Sequence, residues 1–164
     1  LLGYKNIIGT DVSNKAIADT KKNIDWTTDS YKLPAISSKL YECDVVKLSS
    51  KIKDNSVNTI ITEPYMGKPL KGKESKQQLH EQAGELRNLY IQAFEQFAKI
   101  IKKGGTIVFI IPRFRFRENW IVIDCLKEIK KLGFLPEKFG EDEFLIYGRP
   151  HQYLAREIWK FTKK

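Results

Sequence analysis

The sequence predicts an α/β protein built on a mostly parallel, doubly wound sheet that closes with an antiparallel edge strand. Three observations carry this expectation. Short strand-like runs alternate with stretches of helical periodicity, the pattern of strand–helix–strand units. Residues 106–111 are almost wholly apolar, as a strand buried on both faces requires. Two last strand-like segments, 143–147 and 155–161, flank Gly148-Arg149-Pro150, which suggests a hairpin-like end.

The elements follow in order. Asn6-Ile7-Ile8-Gly9-Thr10-Asp11 reads as a strand ending in a carboxylate, and Ser13 stands where a helix N-cap would. Ile17, Lys21 and Ile24 then recur at helical spacing. Residues 27–38 are polar, contain Pro34 and read as a loop, and 39–43 form a second strand with Asp44 at its end. Asp54-Asn55-Ser56 is a turn signal ahead of a third strand, 57–62, which stops at Glu63-Pro64-Tyr65. A Lys/Gly-rich loop, 66–75, leads into the strongest helical pattern of the chain: Leu79, Ala83, Leu86, Tyr90, Phe94, Phe97 and Ile101 form one apolar stripe. Gly104-Gly105 is expected to end that helix and Pro112 to close the strand after it. Val122, Cys125 or Leu126, Ile129 and Leu132 mark one more helical face, capped by Gly133.

A length of 164 residues suits one domain with one core, and 41% hydrophobic with 30% charged residues is ordinary for a globular chain. No apolar run approaches the roughly 20 residues of a membrane-spanning helix, so no membrane partner is expected. The opening, Leu1-Leu2-Gly3-Tyr4-Lys5, has neither an initiator Met nor a signal-peptide core, and reads as the middle of something. Cys43 and Cys125 are too few for a disulfide framework, which points to buried thiols in a cytosolic protein. His80 and His151 lie far from either cysteine and show no ligand spacing, so no metal is expected. A net charge of +9 suits a polyanionic partner, and it equally suits a generic basic surface.

In open α/β sheets, ligands bind beyond the carboxyl ends of the strands. Asp11, Asp44 and Glu63 each stand at such an end. Asp11 can accept both hydroxyls of a ribose, since an ionised carboxylate is an acceptor-only fork, and Asp44 can accept from an exocyclic adenine amine. Each alone also fits a cap or turn carboxylate; as an ordered pair they outline an adenosine. Thr62-Glu63-Pro64-Tyr65 offers acceptors for an amino group and a ring to stack on a flat substrate, chemistry that works by orientation and electrostatics. A strand-end turn with Tyr65 merely packed fits the same residues. Two basic groups could hold RNA: Lys68, Lys71 and Lys73 in the loop, and Arg113, Arg115 and Arg117 alternating with Phe114 and Phe116. Such alternation is also that of a half-buried strand.

Asn6-Ile7-Ile8-Gly9-Thr10-Asp11-Val12-Ser13 resembles the second-strand motif of class I methyltransferases. Ile60-Ile61-Thr62-Glu63-Pro64-Tyr65-Met66-Gly67 resembles the Asp-Pro-Pro-Tyr motif of the amino-methyltransferases. Tyr147-Gly148-Arg149-Pro150-His151-Gln152, with Arg156-Glu157-Ile158-Trp159, resembles the tail of the THUMP-associated tRNA guanosine-N2 methyltransferases. The resemblance implies a Rossmann-like fold and S-adenosylmethionine as methyl donor. It places Asp11, Val12, Asp44, Val45 and Glu63 around the cofactor, and Thr62, Glu63, Pro64 and Tyr65 at the target amine, most simply guanine N2 in tRNA. It also implies that residues 1–164 are one catalytic domain whose first strand and glycine-rich cofactor loop would precede Leu1. Ungapped, Glu63 stands on the family's Asp and Tyr65 on its second Pro; shifted by one, Thr62 takes the Asp position. A DNA adenine or cytosine amino-methyltransferase shares the central motif. A catalytically inactive RNA-binding module would share the fold.

Overall fold

The computed structural model describes residues 6–32 and 37–164, and the chain divides into two compact units, Leu1–Ile52 and Lys53–Lys164.

In the first unit, β1 (Asn6–Asp11) and β2 (Ser37–Glu42) pair in parallel from Asn6↔Ser37 to Asp11↔Glu42. The helix α1 (Asn14–Ser30) links them. Ser13 is its N-cap, the hydroxyl accepting from the Ala16 N–H at 3.3 Å. The helix continues past residue 27, where a loop was expected. Thr27 returns its hydroxyl to the Asn23 carbonyl at 2.7 Å, so a polar residue is satisfied without leaving the helix. Pro34, the basis of that loop expectation, lies outside the described residues. A 3-10 helix, Val45–Ser50, follows β2 and was not anticipated; Asp44 caps it. Cys43, Leu48 and Ile52 are buried beside it.

The second unit holds β3 (Val57–Thr62), α2 (Lys76–Ile100), β4 (Ile101–Phe116), β5 (Asn119–Ile121), α3 (Leu126–Lys131), β6 (Phe134–Glu137), β7 (Leu145–Tyr147) and β8 (Leu154–Lys163). Its sheet runs β3-β4-β8-β6, with β5 on β4 and β7 on β8. β3 and β4 are parallel, and β8 enters antiparallel between β4 and β6. The α/β class, the parallel strand–helix–strand units and the antiparallel edge are those the sequence predicts.

The stripe of α2 supplies the core: Leu79, Ala83, Leu86, Tyr90, Phe94, Phe97 and Ile100 are buried. Phe94 meets Phe97, Phe109, Phe134 and Phe161 edge-on at 5.1 to 5.4 Å between centroids, a favoured aromatic geometry. Ser75 and Gln78 form a capping box at its start.

Three local expectations are corrected. α2 ends at Ile100, and Gly104 (φ 76°) does not cap it; it sits where β4 shifts register against β3 between Val57 and Thr59. Pro112 does not close β4. The Arg115 N–H reaches the carbonyl of Tyr153, the residue just before β8, at 2.8 Å. The amides of even-numbered residues therefore face the other side, where β3 has already ended at Thr62↔Phe109. A proline there removes no ladder bond. Val122 is 54% exposed and precedes α3, so that helix is shorter than its apolar pattern suggested.

Candidate active site

Parallel pairing carries Asp11 and Asp44 to the carboxyl end of the same two-stranded sheet. The Cys43 N–H donates to the Asp11 carbonyl at 2.8 Å, which sets Asp44 one residue further along. Asp11 Oδ1 accepts from the Ser13 N–H at 2.7 Å, and Asp44 Oδ1 accepts from the Val46 N–H at 3.1 Å. Each carboxylate is thus aimed by a turn through one oxygen, while its Oδ2 has no partner among the described residues. Val12, immediately after Asp11, is 70% exposed. Val45, after Asp44, is half-buried. Two acceptor-only groups at the end of one sheet, each followed by an apolar residue, match a nucleoside, whose base is flat and whose sugar and amine donate hydrogen bonds. This set of acceptors fits an adenosyl group.

In the second unit, β3 ends at Thr62, its last pair with β4, and delivers Glu63, Pro64 and Tyr65 beyond it. Glu63 does not stand alone: Arg156 of β8 donates Nε to its Oε1 at 2.7 Å, leaving Oε2 without a partner among the described residues. Tyr65 is not packed; its ring is exposed. Its carbonyl is fixed instead, by the Tyr90 hydroxyl at 2.8 Å. Burial raises the Tyr90 phenol well above its ordinary range, so it stays protonated and keeps donating. Further along, the Lys68 N–H donates to Gln82 Oε1 at 3.0 Å, and Gly67 (φ 92°) lies against that amide with no room for a Cβ. Helix α2 therefore holds the motif from behind through Tyr90 and Gln82. Glu74 closes the loop, accepting from the Lys71 N–H at 2.7 Å and the Gly72 N–H at 2.9 Å.

The basic residues divide. Lys68, Lys71, Arg115 and Arg117 are exposed, and the Arg117 guanidinium lies over the Phe116 ring at 5.4 Å. Arg113 is committed inward: Nε and Nη2 both donate to Oε1 of buried Glu157, at 2.8 and 2.5 Å. Phe114 is fully buried, so the alternation is that of a strand with one face in the core. Among the described residues, no three His, Cys, Asp or Glu are grouped to hold a metal, and no helix is long and apolar enough to cross a membrane.

Sequence reasoning missed Arg156, Gln82 and the role of Tyr90. Only Tyr90 left a signal: a tyrosine on an otherwise apolar stripe usually has a partner for its hydroxyl.

No protein-family model and no curated protein matches the sequence. Solved structures do match. A SAM-dependent methyltransferase of Methanosarcina mazei superimposes with a TM-score of 0.57 at 8% identity, over 99% of this chain and 94% of that one. A Clostridium thermocellum protein assigned as an rRNA methylase gives 0.52 at 14% identity, over 97% and 75%. The [4+2]-cyclase SpnF gives 0.59 at 10% identity, over 98% and 76%. Of other chains it matches, this one spans as little as 50%. The fold is shared with SAM-dependent methyltransferases. A cyclase among the matches shows that the fold alone does not fix the reaction, which has to be read from the site.

Proposed function

We propose that this chain is the catalytic part of an S-adenosylmethionine-dependent methyltransferase acting on an exocyclic base amine of RNA, specifically guanine N2 in tRNA, in the cytosol. The observation that carries the reading is the end of β3. There a half-exposed carboxylate and an exposed tyrosine ring stand together on a backbone pinned by Tyr90.

Asp11, with Val12, would hold the ribose and adenine of the cofactor, and Asp44, with Val45, the adenine amine. Bound there, S-adenosylmethionine would supply an electrophilic methyl group, its sulfonium sulfur keeping the bonding pair and leaving as the neutral thioether. Glu63 Oε2 would accept a hydrogen of the target amine and so orient its lone pair; Arg156 holds the carboxylate through Oε1. Glu63 Oε2, or water, would take the surplus proton of the target nitrogen. The Tyr65 ring lies against the base, and Thr62 and Pro64 fix the turn. No covalent bond to the protein forms, so catalysis rests on positioning and electrostatics. The net charge of +9, with Lys68 and Lys71 exposed in the loop after the motif and Arg115 and Arg117 exposed at the end of β4, suits a polyanionic substrate.

The same reading takes residues 1–164 as one catalytic domain completed by a strand and a glycine-rich loop from outside them. Among the described residues β1 pairs only with β2, and β3 only with β4, so each has a free edge. Ile7 and Ile8 on β1 are 41% and 43% exposed, and Ile61 on β3 is 76% exposed. Apolar exposure of this kind on strands is what an added element would cover.

The test uses the full-length gene product with labelled S-adenosylmethionine, unmodified tRNA and duplex DNA, followed by nucleoside analysis. Label recovered as N2-methylguanosine supports the reading. Label only in DNA, or in no nucleic acid at all, overturns it.

A further inference from the structure

The segment from Tyr147, the last residue of β7, to Tyr153, just before β8, takes no part in the site as described so far. Residues 149–152 make a reverse turn closed by the Gln152 N–H to the Arg149 carbonyl at 3.2 Å. Pro150 is at its second position and His151, at φ 65°, at its third, as in a type II turn, where glycine is usual. A non-glycine residue there costs roughly 1 kcal/mol, and in return the imidazole is held out from the protein surface.

Three contacts bind this segment to the candidate site. Gly72, in the loop after the motif, lies under Tyr153: a Cβ at Gly72 would come within 2.2 Å of ring Cζ. The Tyr153 carbonyl accepts from Arg115 at the end of β4. Tyr147 pairs with Arg156, which itself holds Glu63.

The composition of this surface is specific. Tyr147 and Tyr153 are 47% and 44% exposed, with Tyr65 exposed on the neighbouring loop. Arg149 and His151 are exposed between them, and the Arg149 Nε donates to the Tyr147 hydroxyl at 3.3 Å. No carboxylate occurs from residue 144 to 156. Of the carboxylates on the neighbouring elements, Glu63 is paired through Oε1 with Arg156, Glu74 accepts from the Lys71 and Gly72 amides, and Glu118 lies 3.8 Å from Arg115. Exposed tyrosine rings separated by a guanidinium suit a strand whose bases are unpaired, because a duplex buries the base faces that would stack.

We infer that Tyr147, Arg149, His151 and Tyr153 form a platform for single-stranded RNA, on which nucleotides flanking the target base stack on the two tyrosines while Arg149 takes a phosphate. The position of the target base rests on the proposed methyl transfer; the platform itself does not.

Fluorescence anisotropy of the full-length protein with a labelled oligoribonucleotide of about ten nucleotides, within the span such surfaces cover, tests this. Tyr153→Ala is expected to weaken binding about tenfold or more, without change in the salt dependence, and Tyr153→Phe to restore it. Arg149→Ala lowers the slope of log affinity against log salt by roughly 0.7, the value of one single-strand phosphate contact. Lys131→Ala, at the opposite end of the sheet, leaves both unchanged. A 4-thiouridine version of the same oligonucleotide, crosslinked to the unaltered protein, should label the peptide containing Tyr147 to Tyr153, a readout independent of any variant's folding. Wild-type binding by both variants, crosslinks confined to other peptides, or binding of the same DNA sequence at least as tight, overturns the inference. RNA bound with these dependences but never methylated leaves the platform standing and removes the methyl-transfer reading. Methylation unaffected by both variants does the reverse.

Discussion

Arg113 was read from sequence as an RNA contact, yet its guanidinium sits over buried Glu157, and replacing it with leucine separates the two roles. On antiparallel β4 and β8, Arg113 pairs with Ala155, which makes Glu157 its diagonal neighbour on one face. Glu157 is 7% exposed; its Oε1 takes two bonds from Arg113 and its Oε2 one from the Trp159 indole at 2.9 Å. The Arg113 cation also lies 5.7 Å from the Trp120 ring centre and 5.5 Å from that of Phe144. In Arg113→Leu, a buried carboxylate keeps only the indole. Breaking a buried pair from one side costs about 3 to 5 kcal/mol. Because the two side chains retain 16% and 9% exposure, the low end applies, about 3 kcal/mol, or a fall in Tm of roughly 6–12 °C for a chain of this size. Replacing both residues with leucine removes the stranded charge, so the double variant should lose much less than the sum of the singles. Urea and thermal unfolding of the four proteins in the cycle measure this, and RNA anisotropy on the folded single variant should show an unchanged salt slope. A Tm within about 2 °C of wild type for Arg113→Leu, or additive single losses, would refute this assignment.

Other consequences follow from the loop and the core. Tyr90→Phe leaves the Tyr65 carbonyl unpaired at a cost of about 1 kcal/mol; turnover should fall several-fold with cofactor affinity unchanged, as single-turnover kinetics beside calorimetry will show. The Glu74 carboxyl is held below the ordinary range, chiefly by the Lys71 amide. Its folded value being the lower, its stabilisation of the loop is complete above the ordinary carboxylate value of about 4 and fades as pH falls toward the lowered one. The Lys71 and Gly72 amide signals should follow that acid titration by NMR and lose it in Glu74→Gln. Burial pushes the Cys125 thiol up to about 12, so it should resist thiol reagents at neutral pH until the protein is unfolded.

Much of the framework was legible because it is written in local patterns. β1, β3 and the α2 stripe needed only an apolar run or a period near 3.6 with a cap. The strand boundaries around Pro112 were not, since whether a proline breaks a strand depends on which neighbour its missing N–H would have faced. β6 (Phe134–Glu137) was hidden in the same way: Pro136 argues against a strand until the sheet order shows that β6 lies at the edge. β5 is three residues long, too short for any period to show. Among the candidate residues, Asp11, Asp44 and Glu63 were visible as strand-end acids. Their partners were not. Arg156 is 93 positions from Glu63 in the chain, and only the antiparallel entry of β8 beside β4 brings it near. Arg113 failed for the complementary reason, because nothing in its alternation with phenylalanine announces a buried glutamate on the next strand.

The separation of cofactor holding from amine activation is tested most directly by comparing Asp11→Ala with Glu63→Gln in the full-length protein. Calorimetry with S-adenosylhomocysteine gives cofactor affinity, and single-turnover methylation of tRNA at saturating cofactor gives the chemical rate. Asp11→Ala should weaken the nucleoside by about 10- to 100-fold, the loss of hydrogen bonds to a charged group, and barely alter the rate. Glu63→Gln should bind normally and react about 100-fold more slowly or worse. Equal effects of both substitutions on both quantities, or no saturable heat from the unaltered protein, would contradict it.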